Sequence, residues 1–404
     1  FYFHQQHLAM INSLILKNVV KCSRIWLLRY GVFNLNFLDR TDRSIISLWW
    51  WTVDHKLLGL LLVLIIGGIM LLMSAGSPVA ISKELNQNYF LKKQILFLSA
   101  SIPLMIFISI LKISQIRRVC MALLLLCFFS MIYINIFGIE TNGATRWLKI
   151  YGFSIQPSEF TKPCFAVVNA WFLSLYINER SSRGWVISTC LLISILTILL
   201  SQPDVGMSFI LTATWIFQIY IAGISMFLVL TIASVISFLG ISSYFLLDHV
   251  KYRVDSFLDG GGFQVGKSID AFLNGGMFGQ GFGESSVSEH LPDSHTDFIF
   301  AVAGEELGIF GCSLIISAYF LIFLRGMVLS SASNKIYLVL TCSALIFQFC
   351  LQALVHMAST LNLIPTKGMT LPFISYGGSS LIASSITMGI VLAMTRRQTI
   401  KDYE

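Results

Sequence analysis

Charge is what this 404-residue chain has least of: Asp, Glu, Lys and Arg together make up 12% of it. A soluble domain carries about 25%. With 56% hydrophobic residues beside so few charges, a soluble enzyme and a disordered chain are both excluded. The 8 cysteines include no C-x-x-C pair, so neither a disulfide framework nor a zinc-ribbon spacing is present. Cys120, Cys127, Cys164, Cys190, Cys312, Cys342 and Cys350 fall in apolar runs and read as small packing residues; Cys22 lies nearer the N-terminus. There is no P-loop, no G-x-S-x-G and no histidine spacing that suits a metal. His356 reads as a satisfied buried histidine. No charged, apolar and small succession marks a cleavable signal peptide.

What the chain does have is long apolar runs. A membrane helix needs about 20 mainly apolar residues. Ten stretches qualify: 57–75, 94–111, 119–138, 159–177, 185–201, 206–222, 226–247, 300–324, 336–357 and 373–395. The eighth is weakened by Glu305 and Glu306, which are expected to interrupt it. The fold class is therefore an all-α integral membrane protein of about ten transmembrane helices. Residues 1–40 begin with Phe, are Asn- and Leu-rich and hold no clear span. They read as an extension outside the fold, with Met10 a candidate start. Residues 41–404 read as one ten-helix membrane domain.

A net charge of +7 invites a nucleic-acid reading, and placement removes it. With a cytoplasmic N-terminus, 17 of the 27 Lys and Arg fall on cytoplasmic segments, among them Lys112, Arg117, Arg118, Arg325, Lys335 and Arg396. The positive-inside rule then puts both termini in the cytoplasm of a multi-pass plasma-membrane protein.

The acids concentrate in one long external loop, about 248–298, between the seventh and eighth spans. It holds Asp248, Asp255, Asp259, Asp270, Glu284, Glu289, Asp293 and Asp297, eight of the 20 acids. It is glycine-rich over 260–283, and residues 265–274 are patterned as a short amphipathic helix on the membrane surface. Long glycine-rich loops in short-looped proteins are usually functional. Asp297 immediately precedes an apolar run. Low dielectric there raises a carboxylate's pKa and suits it to act as a base; capping the eighth helix is the competing role. Glu159 and Lys162 lie three apart, a spacing that permits an ion pair, with Ser158 available to cap the helix start. Asp204 sits in a Pro203–Gly206 turn, where it can cap the next helix. Arg146, Lys149 and Lys367 are basic residues on the outer side, against positive-inside, and an external anion such as a lipid pyrophosphate gives them a partner. Trp147 reads as an interface anchor.

GATRWLKIYGFSIQPSEFTKP (143–163), QPDVG (202–206), NGGMFGQGFGESSVSEHLPDSHTDFIFAVAGEELGIFG (274–311) and NLIPTKGMTLPFISYGGSS (362–380) resemble the SEDS family (shape, elongation, division and sporulation). The resemblance spans about 52–396. The lysine of TKGMTLPF and the stretch WWWTVDHKLL (49–58) resemble its division branch rather than its elongation branch. The resemblance implies a peptidoglycan glycosyltransferase. The 4-hydroxyl of a lipid II N-acetylglucosamine attacks C1 of the N-acetylmuramic acid on the growing chain, and undecaprenyl pyrophosphate leaves with inversion. It implies Asp297 as the catalytic residue, Glu159 and Lys162 as a cavity salt bridge, and Asp204 as the aspartate of the QPD turn. Arg146, Lys149 and Lys367 are candidates for the pyrophosphate, and Mg²⁺ or Mn²⁺ suits such oxygens. Implied partners are lipid II, a class B penicillin-binding transpeptidase (FtsI-like), other division proteins and membrane lipid, at the septum of the inner membrane. Lipid II flipping is the competing activity, and an elongation polymerase the competing branch. The chain departs from the family in two places: Ser288 and Glu289 stand where relatives commonly carry a basic residue, and His356 stands where relatives often have Asn.

Overall fold

The computed structural model describes residues 44–138, 145–150, 153–179, 182–224, 262–365 and 368–396, with scattered residues between 227 and 260. The chain divides into two compact units, one ending at Val53 and one starting at Asp54. In the first, α1 (Ile45–Thr52) begins at Ser44, whose hydroxyl accepts a bond from the Ser47 amide.

The second unit carries α2 (His55–Ser82), α3 (Tyr89–Ile110), α4 (Ile113–Phe137), a hairpin of β1 (Leu148–Ile150) and β2 (Phe153–Ile155), then α5 (Pro157–Glu179), α6 (Ser182–Ser201), α7 (Val205–Ile221), α8 (Gly262–Gly275), α9 (Ile299–Ser331), α10 (Ile336–Thr360) and α11 (Gly378–Thr395). The strands pair antiparallel, Lys149 opposite Ser154. Among the described residues eight helices are long and apolar enough to span a bilayer, and α7 is a shorter apolar helix. The all-α reading holds. The seventh expected span, 226–247, lies mostly outside the described residues.

Burial sorts the helices into two layers. α5, α10 and α11 are mostly buried, whereas α2, α3, α4, α6 and α9 leave most of their apolar surface facing outward. That pattern suits a bilayer, which solvates Leu and Phe as well as the protein interior does. The buried helices carry the polar side chains: Asn169 Nδ2 donates to Gln218 Oε1 at 2.7 Å, and Asn169 Oδ1 accepts from Ser188 at 2.6 Å. Asp54 caps α2 by accepting from Leu57 N at 2.9 Å and pairs with Arg325. Burial pushes the Asp54 carboxyl up, but the Arg325 guanidinium and the Leu57 amide outweigh it, leaving the pKa below the usual 3.8.

Two expectations need correction. Glu305 and Glu306 do not interrupt the eighth apolar run; both are buried within α9. The break falls at Gly308, whose φ of 66° and ψ of −165° no side-chain-bearing residue adopts comfortably. A Cβ there would lie 2.4 Å from the Gly279 nitrogen. The glycine-rich stretch after α8 supplies the hydrogen bonds the break frees. Ile309 N donates to Gly276 O at 3.1 Å, and Gln280 N and Gly281 N donate to Glu305 O and Glu306 O. The second correction is at the last span, which begins at Gly378 rather than 373. Residues 371–376 are non-helical because their polar groups are bonded elsewhere: Leu371 N donates to Ser375 Oγ, and Tyr376 N donates to His295 O. The amphipathic stretch expected at 265–274 is α8.

Candidate functional site

A cavity of about 720 Å³ opens at the end of the bundle where α3, α5, α7, α9 and α11 begin. Its wall includes Arg146, Trp147 and Lys149 from the β1 region, Glu159 from α5, Asp204 before α7, Asp293 and Asp297 before α9, and Gly368 to Thr370. Five of the seven singled-out residues therefore share one space: Arg146, Lys149, Glu159, Asp204 and Asp297. Lys162 lies beneath it, in a small crevice with Glu159, Gln348 and Gln352. Lys367 lies outside the described residues. Trp147, 41% exposed, lines the cavity, as does the exposed Lys149.

Asp297 is half-buried, and it does not cap α9: Phe298 occupies the cap position with no side-chain bond. Burial, then the neighbouring Asp293 carboxylate, push its pKa from 3.8 up to about 7. At neutral pH it is thus poised between acid and base. Gly368, at φ 55°, lies against it; a Cβ there would stand 3.2 Å from Asp297 Oδ2. His295, two residues earlier, is buried with its ring 4.2 Å from Phe90 and 5.6 Å from Tyr376, centroid to centroid. Burial and then Lys83 lower its pKa to about 4, so it is neutral near pH 7 and acts as packing.

The charge pairs are more engaged than the spacing implied. Arg146 Nε donates to Gln202 O at 3.0 Å, a second guanidinium nitrogen donates to Pro203 O, and a third stands 3.7 Å from Asp204 Oδ1. Arg146 thus braces the QPD turn and is only partly free for a phosphate. Asp204 caps α7 by accepting from Met207 N at 3.3 Å, as a turn aspartate should. Burial raises its pKa, against the pull of Arg146. Glu159 Oε2 and Lys162 Nζ form the expected pair at 2.7 Å, and the ammonium also donates to Gln352 Oε1 at 2.6 Å. Ser158 does not cap α5; its hydroxyl accepts from Gln156 Nε2 at 3.0 Å.

Three participants escaped the sequence reading. Lys93, at the start of α3, adds a third cation to the cavity wall; as a lysine on the outer side it carries the same signal as Lys149. Asp293, with φ 57°, sets the charge around Asp297. Gln352 gave no signal beyond being an amide in an apolar run. Among the described residues no three His, Cys, Asp or Glu side chains are placed to hold a metal. Asp293 and Asp297 alone would be an incomplete set, and phosphate oxygens would have to supply the other ligands.

The profile of the FtsW/RodA/SpoVE family, described as cell cycle protein, matches residues 54–400. A probable peptidoglycan glycosyltransferase FtsW of Caulobacter vibrioides is 38% identical over 365 residues, covering 89% of this chain and 93% of the relative. The stage V sporulation protein E of Bacillus subtilis is 32% identical over 354 residues, covering 85% and 97%. Among solved structures, a chain of a peptidoglycan synthase complex that coordinates polymerization and crosslinking matches with a TM-score of 0.72 at 23% identity, covering 88% of this chain and 100% of that one. The rod shape determining protein RodA of Thermus thermophilus matches with a TM-score of 0.66 at 23% identity, covering 87% and 99%.

Proposed function

Because the chain belongs to the FtsW/RodA/SpoVE family of cell cycle proteins, we propose that it is a multi-pass inner-membrane peptidoglycan glycosyltransferase that polymerises lipid II for septal wall synthesis. The observation that carries this reading is the placement of Asp297. A carboxyl poised at about 7 faces a cavity that also holds Lys93, Arg146 and Lys149.

Asp297 accepts the proton of the acceptor 4-hydroxyl as its oxygen bonds to C1 of the donor sugar. The C1–pyrophosphate oxygen bond breaks on the opposite face, and undecaprenyl pyrophosphate departs with the electron pair. Inversion turns the α-linked donor into a β-1,4 linkage. Lys149 and Lys93 stabilise the negative charge that grows on the leaving group, while Arg146 holds the wall they stand on. Lys367, three residues before Thr370, is assigned the same role. A divalent cation, if bound, supplies further neutralisation on phosphate oxygens.

The Glu159–Lys162 pair forms the cavity floor. Lys162 Nζ stands 2.7 Å from Glu159 Oε2 and donates to Gln352 Oε1. A cavity of about 720 Å³ is of the size that takes a sugar-scale ligand. The catalytic domain is assigned to the unit from Asp54, both termini to the cytoplasm, and the crosslinking partner to a class B penicillin-binding transpeptidase, FtsI-like. The division branch is preferred because the relatives of higher identity carry the FtsW name.

The test is polymerisation of lipid II by the purified protein with its transpeptidase. Glycan strands from wild type and none from Asp297→Ala support the reading. Movement of labelled lipid II across liposomes without linkage would favour transport instead.

A further inference from the structure

We propose that Gln352 and His356 are positioning residues for the glycosyl transfer, gripping the 368–370 segment so that it stays seated against Asp297. This rests on Asp297 being the base, as proposed above.

The two side chains are four apart on α10 and therefore lie on one face. Both are buried. They reach consecutive carbonyls of the same segment. Gln352 Nε2 donates to Thr370 O at 3.0 Å, and His356 Nδ1 contacts Met369 O at 2.6 Å. A carbonyl only accepts, so His356 carries its proton on Nδ1. The residue just before these two carbonyls is Gly368, against the Asp297 carboxylate.

Gln352 makes a second bond that His356 does not. Its Oε1 accepts from Lys162 Nζ at 2.6 Å. One amide thus ties the Glu159–Lys162 pair of the floor to the segment that covers the base. No other described residue bonds both the pair and this segment. The far end of the segment is fixed independently. Ser375 Oγ donates to Thr296 O at 2.7 Å, and Tyr319 Oη donates to Pro372 O at 2.5 Å. Residues 371–376 thus have backbone anchors outside α10, whereas the Met369 and Thr370 carbonyls are held from α10, the Thr370 hydroxyl being tied separately to Ser380 Oγ of α11 at 2.6 Å. An asparagine at 356 would likewise carry a donor for Met369 O.

The consequence is chemical. Asp297 is held near neutrality by its enclosure. Releasing 368–370 admits water, which stabilises the carboxylate and returns its pKa towards the ordinary range. The charged groups that share the cavity are Asp293 beside it, Lys93, Arg146, Lys149, Glu159 and Asp204; of these only Glu159 is linked to α10, through the Lys162–Gln352 bond.

The experiment measures initial rates of lipid II polymerisation from about pH 5 to pH 9 for full-length protein with its transpeptidase, with thermal midpoint in detergent as the folding control. Wild type should show a limb centred near 7, set by Asp297. Gln352→Met and His356→Leu should lower kcat about 10- to 100-fold and move that limb to lower pH. Gln352→Glu, ionised beside Lys162, keeps the acceptor for that ammonium but cannot donate to Thr370 O. It should lower kcat as Gln352→Met does, and its rate, rather than its limb, carries the test should the methionine variant misfold, because the added carboxylate itself shifts neighbouring pKa values. His356→Asn retains a donor and should stay near wild type. A lowered rate with an unmoved limb in folded variants, or a Gln352→Glu variant indistinguishable from wild type, overturns the proposal. Asp297→Ala run alongside separates the two ideas: full activity there defeats the base assignment, whatever the α10 variants do.

Discussion

Glu305 is a buried carboxylate whose work is entirely local, and its removal gives a large, calculable effect. Its Oε1 accepts from Ser286 N at 3.0 Å, Val287 N at 2.9 Å and Asn274 Nδ2 at 2.7 Å, while Oε2 accepts from Ser288 N at 2.8 Å. The side chain has no exposure. Glu305→Ala removes the acceptor of three backbone N–H groups beside α8, that of Ser288 buried and those of Ser286 and Val287 partly buried. Each stranded donor costs about 1–3 kcal/mol. Allowing for water entering the space left by the side chain, the total should be about 3–6 kcal/mol. Glu305→Gln keeps one acceptor oxygen and turns the other position into a donor facing Ser288 N, so about 2 kcal/mol is expected. Reversible unfolding in mixed micelles, titrated with SDS, reads these differences. The turn also delivers Leu291 to the cluster of Val265, Ala271 and Phe298, so protease sensitivity should rise first around residues 284–296. A Glu305→Ala loss under about 1 kcal/mol would refute the idea that this carboxylate organises the loop.

Three further expectations follow from the same geometry. Lys162→Met leaves Glu159 charged and buried and should cost about 3–5 kcal/mol, with most of it recovered in the Glu159→Gln/Lys162→Met double variant; equal stability of single and double variants in the SDS titration would contradict this. Asp297→Asn should raise the thermal midpoint near pH 8. The raised pKa means the fold favours the protonated carboxyl, so that contribution is present below 3.8 and lost as pH rises through about 7; the gain from Asn should vanish near pH 4. Gly368→Ala combines backbone strain at φ 55° with a Cβ 3.2 Å from Asp297 Oδ2, so it should lower kcat more than it lowers the melting temperature.

The spans were legible because bilayer thickness demands long apolar runs, and nine of the ten stretches correspond to described helices. Asp297, Glu159, Asp204 and the outer cations were legible because each puts a charge where a membrane disfavours one. What stayed hidden depends on backbone placement. Gly308, one glycine among many in sequence, acquires its role only when the 276–281 stretch lies beside α9. Gln352 looks like any polar residue in a span until Thr370 and Lys162 arrive from distant parts of the chain. Arg146 stands out in the sequence as a candidate for an anion, because nothing there shows that the carbonyls of Gln202 and Pro203 turn towards it.

The measurement that bears most directly on the central claim is glycan strand synthesis from lipid II by wild type and Asp297→Asn, each purified with its transpeptidase and matched for folding by melting temperature. Asn keeps the shape of the side chain and removes its capacity to accept a proton. The account predicts strands from wild type, with a rate that climbs through about pH 7, and essentially none from Asp297→Asn at any pH. Strands of normal length at an undiminished rate from Asp297→Asn would contradict it.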